Sequence, residues 1–253
     1  MINIKKHRRL LARRLIGNKF DLAYYFCKGS GIELGAMSSP YLEFSSDTYV
    51  KYADIFSSTE LRNIISSLNV DGMYNKKIVN TDILLKAPTY SLFDCLTNKV
   101  DFIYSSNVFE HYPNPIFSLV DQLNCVVTGG IVYLVIPNKN FTYDRLRKTT
   151  DINVLINKYE NKNFKNTVEE ALEVITYTDS HPVYDEYKKN PKKYSQEMID
   201  KKEGIHHFYT YNMENVLELI NYVKSIISFE LLYISADESS DIHVTLKKLV
   251  ESD

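Results

Sequence analysis

Cysteine, glycine and tryptophan are scarce in this chain, and the few cysteines bear on whether the protein has disulfides or a metal site. Of the 253 residues, 3 are cysteines, 8 are glycines and none is tryptophan. The cysteines, Cys27, Cys95 and Cys125, lack a Cys-x-x-Cys spacing and lie in apolar sequence. We therefore expect buried thiols in a reducing compartment, and neither disulfides nor a bound metal ion.

An excess of charge and long apolar runs are also missing. The formal net charge is −2 and the pI is about 6.3, so no overall field attracts nucleic acid or an acidic membrane. No stretch approaches the roughly 20 apolar residues of a membrane-spanning helix, and the first residues lack the apolar segment of a signal peptide. We therefore expect a cytoplasmic protein without a nucleic-acid partner or stable membrane insertion.

What the chain does contain is a regular order of strands and helices that predicts an α/β fold. Five apolar segments, GIELG, YVKYADI, KIVNTDIL, VDFIYSSN and IVYLVIP, alternate with helical or polar stretches. Near the C-terminus, SFELLYISA and DIHVTLKKL are separated by DESS. This connection is short enough for a hairpin, so one of the last two strands must run antiparallel to the others.

Two segments lie outside this alternation. Residues 1–26 open with KKHRRLLARRLIG, which predicts a basic amphipathic helix that covers one end of the sheet or contacts phosphates or an anionic surface. Residues 142–203 are rich in Lys, Asn, Tyr and Glu. Their polarity and their place after the fifth strand predict a helical lid or substrate-binding insertion in a single domain that spans residues 1–253.

The first strand ends in a glycine-containing loop, GSGIELGAMSSP. A dinucleotide fingerprint needs a third glycine where Leu34 stands, which disfavours an NAD-dependent oxidoreductase or epimerase without removing it as an alternative. Glu33 and Gly35 instead fit a pattern of an acidic residue followed by glycines at alternate positions. Met37 and Ser39 replace the later glycines of that pattern.

The most specific pattern, SSNVFEHYPNP, follows the fourth strand. Small polar residues end the strand, and a Glu-His pair and a proline lead into the next helix. Together with GIELGAMSSP, this segment resembles the class I, Rossmann-like S-adenosylmethionine-dependent methyltransferases, over residues 27–137 and 205–250. The resemblance implies a seven-stranded, mostly parallel sheet with a C-terminal antiparallel hairpin, and S-adenosyl-L-methionine as the cofactor.

The resemblance and the strand ends together suggest cofactor-binding residues. Gly35 would let the backbone pass close to the methionine half of the cofactor, and Glu33 would accept hydrogen bonds near its ammonium group. Asp54 lies about 20 positions after Gly35 and suits the ribose hydroxyls. Asp82 would contact adenine or cap the next helix. The predicted set is Glu33, Gly35, Met37, Asp54, Asp82, Ile83, Ser105, Ser106 and Asn107.

Histidines are the first candidates for a catalytic base, because transfer to a hydroxyl or amine releases a proton and imidazole titrates near neutral pH. The candidates are His111, His206, His207 and, as another proton acceptor, Tyr143. Two alternatives stay open. Glu110 and His111 can form a purely structural pair, and positioning alone can supply most of the rate.

The segment NKNFTYDRLRKTTDINVLINKY is similar to one in methyltransferases encoded among bacterial capsule and surface-polysaccharide genes. Arg145 and Arg147 suit a phosphate or carboxylate, and Tyr143 and Tyr209 suit a sugar or base. The similarity implies O- or N-methylation of a small acceptor, such as a nucleotide-activated sugar or a phosphate-type modifier. A non-catalytic binding protein of the same fold is the second alternative, favoured if Met37 and its neighbours fill the cofactor pocket.

Overall fold

A computed structural model describes residues 19–37, 40–42, 47–67, 78–200, 206–236 and 241–250. These residues contain seven strands. The strands are β1 (Gly29–Leu34), β2 (Thr48–Asp54), β3 (Ile83–Leu84), β4 (Val100–Ser106), β5 (Val126–Pro137), β6 (Phe229–Ala236) and β7 (Asp241–Lys248). Within the same residues, no helix combines the length and the hydropathy that a membrane crossing requires.

The strands form one sheet in the order β3-β2-β1-β4-β5-β7-β6. The first five strands pair in parallel, and β7 runs antiparallel between β5 and β6. The expected seven-stranded, mostly parallel sheet with a C-terminal hairpin is thus confirmed. In this order the chain leaves β1 towards one edge of the sheet and returns to β4 on the other side, so the carboxyl ends of β1 and β4 flank the point where ligands bind in such sheets.

Both faces of the sheet are covered, because alternate side chains of the central strands point to opposite sides. Ile103 of β4 and Leu134 of β5 belong to the larger apolar cluster. Their neighbours Phe102, Tyr104 and Tyr133 belong to a smaller cluster on the other face. Both kinds of position are buried, which explains why the two strand sequences read as nearly continuous apolar runs.

The described helices number eight. They are α1 (Lys19–Phe26), α2 (Ser58–Ser67), α3 (Pro115–Cys125), α4 (Ile152–Glu160), α5 (Val168–Tyr177), α6 (Pro182–Tyr187), α7 (Pro191–Asp200) and α8 (Met213–Lys224). Short 3-10 helices cover Phe93–Cys95, Phe109–His111 and Lys139–Phe141. Helices α4 to α7 make up the segment predicted as a helical insertion.

The insertion is joined to the core of the sheet. Ala171, Val174 and Ile175 of α5 and Met198 of α7 are buried in the same apolar cluster as the sheet residues. Helix α5 begins with a capping box, in which Thr167 and Glu170 bind each other's backbone N–H groups. The segment VEEALEVITY, whose sequence predicts one helix of the insertion, forms α5, and its apolar side continues the main core.

Three sequence expectations differ from the structure or lie beyond it. The third strand is confined to Ile83–Leu84 because it is an edge strand, paired only with β2 in the described sheet, and the residues before it are polar. The sequence SSTELRNIISSL predicts Ser58 or Thr59 as the cap of α2, but the cap is Ser57, whose N–H donates to the Glu60 carboxylate and whose hydroxyl accepts the Glu60 N–H. The predicted basic helix over residues 1–26 lies outside the described residues up to residue 18, and residues 19–26 form α1.

Asn114 connects α3 to the insertion, so a substitution at this residue tests the packing between them. Its side-chain oxygen caps α3 at the N–H of Phe117 (3.1 Å), and its amide donates to the carbonyls of Lys158 (3.0 Å) and Asn163 (3.2 Å). We expect Asn114→Ala to lower the free energy of unfolding by about 1 to 3 kcal/mol, because a cap and two buried hydrogen bonds are lost. Denaturant titration measures this change.

Asn153→Ala is the matched control, since the Asn153 amide is exposed and bonds only locally to Asp151 among the described contacts. Equal stability of the two variants would show that Asn114 does not hold the insertion to the sheet.

Candidate functional site

A cleft opens at the carboxyl ends of β1, β2 and β4. It encloses about 690 Å³ of space, which includes open solvent. Most of its wall is apolar, with a few polar groups at the strand ends. The lining residues are Leu34, Gly35, Met37, Ala53, Asp54, Ile55, Phe56, Ile64, Leu85, Tyr90, Asn107, Val108, His111 and Tyr112.

Three lining residues have backbone conformations that bring the chain close to the cleft. Gly35 has φ +64°, and a Cβ atom there would come within 2.6 Å of Val108 Cγ2. Met37 and Asn107 also have positive φ, of 47° and 53°. Only glycine fits at position 35 without strain, so the turn after β1 keeps its backbone exposed towards the cleft.

Asp54 ends β2 beside Gly35, because β1 and β2 pair in parallel with Leu34 opposite Ala53, and it also lines the cleft. Its Oδ1 accepts the N–H of Phe56 at 2.9 Å, which fixes the orientation of the carboxylate. The structure thus brings together four of the predicted cofactor residues at one cleft: Gly35, Met37, Asp54 and Asn107.

Glu33 has a different position from the one expected. Its carboxylate is only 1% exposed, and it accepts the N–H groups of Tyr41 (2.8 Å) and Leu42 (2.9 Å). Burial raises its pKa to about 7, although these two hydrogen bonds oppose the shift. Glu33 is not among the described residues that line the cleft. It holds the loop after β1, because backbone donors of that loop need an acceptor inside the protein.

The predicted adenine and β4 residues also lie away from the cleft wall. Asp82 accepts the N–H of Tyr52 (2.9 Å) and, with Ile83, lines a separate surface depression beside Lys86. Ser105 is buried in the sheet. Neither it nor Ser106 is among the described residues that line the cleft. Side chains alternate along a strand, so only part of a strand-end segment can face one ligand.

Next to the cleft lies a polar cluster formed by Glu110, His111 and His207. Glu110 is fully buried, and neither carboxylate oxygen has a hydrogen-bond partner among the described residues. Its Oε1 lies 3.7 Å from His111 Nε2 and 3.5 Å from His207 Nε2. Burial raises the pKa of Glu110 to about 7, although His207 opposes the shift.

His111 belongs to both the cleft and the cluster. Its Nδ1 lies 2.9 Å from the carbonyl oxygen of His206. A carbonyl only accepts, so Nδ1 carries the hydrogen and the lone pair of Nε2 points to the Glu110 side. Burial, reinforced by His207, lowers the pKa of His111 to about 3. The imidazole is therefore neutral near pH 7 and a weak base.

His207 connects Asp144 to Tyr143. Its Nδ1 lies 2.7 Å from Asp144 Oδ2, and its Nε2 lies 2.8 Å from the Tyr143 hydroxyl. Burial disfavours the charged form of Asp144, but the hydrogen bond from His207 and the charges around it lower its pKa overall. Asp144 is thus a carboxylate that accepts from Nδ1, and Nε2 accepts from Tyr143. Burial raises the pKa of Tyr143, which keeps the hydroxyl protonated.

Arg147 is part of the scaffold of this cluster and not a free cation. It is 4% exposed. Its five N–H groups bind Asp144, Glu173 through Nε and Nη2, and the carbonyls of His207 and Phe208. A guanidinium has five N–H donors, so none is left for a substrate. The expectation that Arg147 binds an anionic acceptor is therefore wrong.

Two other predicted residues are also internal. The Tyr209 ring is buried, and its hydroxyl lies 3.0 Å from both the Pro113 carbonyl and Asn166 Oδ1, so it does not face an acceptor. The ring of His206 is buried, with Nδ1 at 2.8 Å from the Tyr184 hydroxyl, and only its carbonyl reaches His111. Arg145, by contrast, is exposed and pairs with Asp179.

The sequence placed Glu110 with His111 at the entrance to the methyl group and Asp144 in a polar rim, but it did not predict either as a member of a buried cluster, and it gave no role to Glu173. The Glu-His dipeptide was a signal for Glu110. The signal for Asp144 was its place three residues before Arg147, a spacing that suits an ion pair in a helical turn. No local signal identifies Glu173, because it meets Arg147 only through the packing of α5.

The buried position of Arg147 gives a stability prediction. Arg147→Ala should lower the free energy of unfolding by about 3 kcal/mol, because it removes the cation beside Asp144 and Glu173 and the donors to two carbonyls. Arg145→Ala should change it by less than about 1 kcal/mol, since an exposed ion pair is screened by water. Urea titration of both variants tests the contrast, and similar effects would show that the buried network is not formed.

The raised pKa of Glu110 predicts a pH-dependent stability. Between its ordinary value of 4.5 and about 7, the folded protein holds a proton that the unfolded chain has lost, so stability falls as pH rises through this window and then levels off. Glu110→Gln removes the effect. In EDTA, the variant should lose about 2 to 3 kcal/mol less stability than the native chain between pH 5 and pH 8.

Thermal and urea unfolding at the two pH values measure this difference. Glu169→Gln, at an exposed position of α5, is the control and should follow the native curve. Parallel curves for the native chain and Glu110→Gln would mean that Glu110 ionises normally in the fold.

Comparisons with known proteins concern the fold. No protein-family model and no curated protein matches the sequence. Among solved structures, the chain is similar to the plantazolicin methyltransferase BpumL in complex with SAH, at 13% identity, 96% coverage of this chain, 84% of that chain and a TM-score of 0.47.

Two further structures are similar to the same extent. One is a SAM-dependent methyltransferase from Methanosarcina mazei (13% identity, 91% of this chain, 98% of that chain, TM-score 0.48). The other is a protein from Rhodobacter sphaeroides named for Zn-dependent alcohol dehydrogenases (12% identity, 94% of this chain, 91% of that chain, TM-score 0.49). All three TM-scores are below 0.5, so these likenesses assign this chain to no family.

Proposed function

We propose that the protein is an S-adenosylmethionine-dependent methyltransferase. The observation that carries this proposal is the cleft at the strand ends, which is lined by the neighbouring residues Gly35 and Asp54 and by His111 at its junction with a buried polar cluster. The cleft fits such a cofactor: the turn at Gly35 leaves no side chain in the way, and Asp54 offers a carboxylate to a ribose.

The polarity of the cleft suggests how the cofactor lies. Asp54 accepts hydrogen bonds from the ribose hydroxyls, and the apolar side chains of Ile55, Phe56 and Leu85 cover the adenine. Asn107 and the backbone at Gly35 then lie beside the methionine part. This orientation places the reactive end of the cofactor towards His111, where the cleft meets Glu110 and His207.

The chemistry needs little covalent help from the protein. The bound cofactor supplies an electrophilic methyl group, which the acceptor's lone pair attacks as the carbon–sulfur bond breaks and S-adenosylhomocysteine is left. The protein must orient the acceptor, exclude water and take up the acceptor's proton. A hydroxyl or an amine can be the acceptor.

Glu110 is better suited than His111 to accept that proton in the metal-free protein. A base works best when its pKa lies near the working pH, and Glu110 has a pKa of about 7 against about 3 for His111. His207 and Tyr143 stay candidates as partners that stabilise the charge around Glu110. The buried ring of His206 makes it a positioning group.

The acceptor is proposed to be a small molecule with a phosphate or carboxylate, of the nucleotide-linked kind used for capsule or surface polysaccharide. Two features support this. The segment after β5 is similar to one in such methyltransferases, and Arg145 and Lys148 are exposed cations within the insertion of residues 142–203. We propose that this insertion forms the wall of the acceptor site.

The sheet order argues against the dinucleotide-dependent alternative. Dinucleotide-binding sheets have the order 3-2-1-4-5-6 with parallel strands, whereas here the antiparallel β7 lies between β5 and β6. The cleft is also not filled by Met37, which removes the reason to favour a non-catalytic binding protein.

Variants of Asp54 and Asp82 test whether the cleft is the cofactor site. The sequence predicts both residues as cofactor contacts, but of the two only Asp54 lines the cleft. Asp54→Asn should weaken S-adenosylhomocysteine binding by at least about tenfold, because a charge-assisted bond to a ribose hydroxyl contributes about 1.5 to 3 kcal/mol. Asparagine preserves the acceptor oxygen for the Phe56 N–H, so the fold is retained. Asp82→Asn should bind normally, because Asp82 lies in another depression.

Isothermal titration calorimetry with S-adenosylhomocysteine, and with NAD in parallel, gives the affinities. Tight binding of NAD without S-adenosylhomocysteine would overturn the proposal, and a loss in Asp82→Asn alone would move the cofactor to the other depression.

A further inference from the structure

Glu110 occupies an unusual environment. A fully buried carboxylate with no hydrogen bond to either oxygen, among the described residues, carries a high desolvation cost that proteins normally offset with donors. The Nε2 atoms of His111 and His207 lie 3.7 and 3.5 Å from its Oε1. Glu110 Oε1, His111 Nε2 and His207 Nε2, three atoms of the kind that bind metal ions, therefore lie close together.

We infer that Glu110, His111 and His207 form a binding site for a divalent transition-metal ion. The ligand atoms of the three residues all lie within 4.8 Å of one another. Zinc–nitrogen and zinc–oxygen distances are about 2.0 to 2.2 Å, so a single ion can reach three atoms spaced in this way after small side-chain adjustments.

The surroundings orient both imidazoles as metal ligands. The carbonyl of His206 holds Nδ1 of His111, and Asp144 holds Nδ1 of His207. In His111 the second nitrogen, Nε2, is thereby left with its lone pair towards Glu110. In His207, Nε2 lies 3.5 Å from Glu110 Oε1 and is also in contact with the Tyr143 hydroxyl. Metal-binding histidines characteristically donate their other N–H to a carbonyl or carboxylate in this manner.

The Arg147 network supports the same arrangement from outside. Arg147 binds Asp144 at 2.9 Å and also the carbonyl of His207 itself. It fixes both the backbone of one ligand and the carboxylate that orients its ring. The Tyr143 hydroxyl donates to His207 Nε2 at 2.8 Å in the metal-free protein, so it must turn away when an ion binds.

The donor set selects the kind of ion. Two imidazole nitrogens and one carboxylate suit Zn²⁺, Co²⁺ or Fe²⁺, whereas Mg²⁺ and Ca²⁺ prefer oxygen ligands alone. Three protein ligands leave at least one coordination position open, as in catalytic and not structural zinc sites. His111 lines the cleft, so the open position faces the place proposed for the reacting groups.

The role of this ion in catalysis, unlike its binding, rests on the proposed methyltransferase function. An acceptor oxygen that binds the open position becomes more acidic and loses its proton to water, as water does on zinc. Its lone pair then forms the bond to the methyl group, and the electron pair of the broken carbon–sulfur bond stays on sulfur. In the metal-bound protein Glu110 is a ligand, and the ion takes over the activation of the acceptor.

Metal binding can be measured without any activity. The untagged full chain, dialysed against EDTA and then metal-free buffer, is titrated with Zn²⁺ by calorimetry and with Co²⁺ by visible absorption. We expect one ion per chain, a Co²⁺ spectrum of a four- or five-coordinate site, and much weaker binding of Mg²⁺. Glu110→Gln, His111→Gln and His207→Gln should each lower Zn²⁺ affinity by more than about tenfold.

Two variants serve as matched controls. Glu169→Gln changes an exposed carboxylate, and His181→Gln changes an imidazole that packs on Tyr143 but is outside the ligand group. Both should bind Zn²⁺ as the native chain does. Circular dichroism and S-adenosylhomocysteine titration identify any ligand variant that has lost its fold.

The outcomes separate this inference from the proposed function. Absence of Zn²⁺ and Co²⁺ binding, or binding that all three ligand variants retain, overturns the metal site. If S-adenosylhomocysteine binds in that case, the methyltransferase proposal stands without it. If Zn²⁺ binds at these three residues but S-adenosylhomocysteine does not bind, the metal site stands and the methyltransferase proposal fails.

Discussion

The guanidinium of Arg147 is the interaction on which the polar half of the site depends. It binds Asp144 in the segment after β5, Glu173 in α5, and two carbonyls in the segment before α8. Three parts of the chain, separated by up to about 60 positions, are thereby fixed to one rigid planar group. Each of these charges would be costly to bury alone, and together they satisfy one another. Since Asp144 orients His207, the position of that imidazole follows from the same network.

The cleft could be predicted from sequence to the extent that it follows from topology. The carboxyl ends of parallel strands meet at one edge, so Gly35, Asp54 and Asn107 come together whatever the details of packing. The partners of Glu33 and Arg147 could not be predicted in the same way. Both side chains are charged and were predicted to bind a ligand. Glu33 instead accepts hydrogen bonds from the loop after β1, and Arg147 donates to Glu173 in a distant helix. Whether a charged side chain is used inside the protein depends on tertiary contacts that local patterns do not contain.

The two ionisable groups at the centre of the site respond to burial in opposite directions. Loss of water disfavours every charged form, so it raises the pKa of Glu110 and lowers that of His111. Near pH 7, Glu110 is therefore balanced between its neutral and charged forms, whereas His111 is neutral. A cation added between them would favour the charged form of Glu110. A buried carboxylate that is kept beside two oriented imidazoles, without a hydrogen bond of its own among the described residues, is a local conflict of the kind that folded proteins retain mainly at functional sites.

The insertion shows why substrate preference is hard to read from composition alone. Its polar sequence suggested a helical lid or substrate-binding insertion over residues 142–203, and Ala171, Val174 and Met198 are buried in the core that the sheet also shares. Displacement of α5 as a unit would expose that apolar surface and break the Glu173 contact with Arg147. The insertion is therefore better described as a fixed wall whose exposed side chains, including Arg145, can vary without loss of the fold. Selectivity for an acceptor would then arise from the few exposed groups on that wall, while the buried ones hold the polar cluster in position.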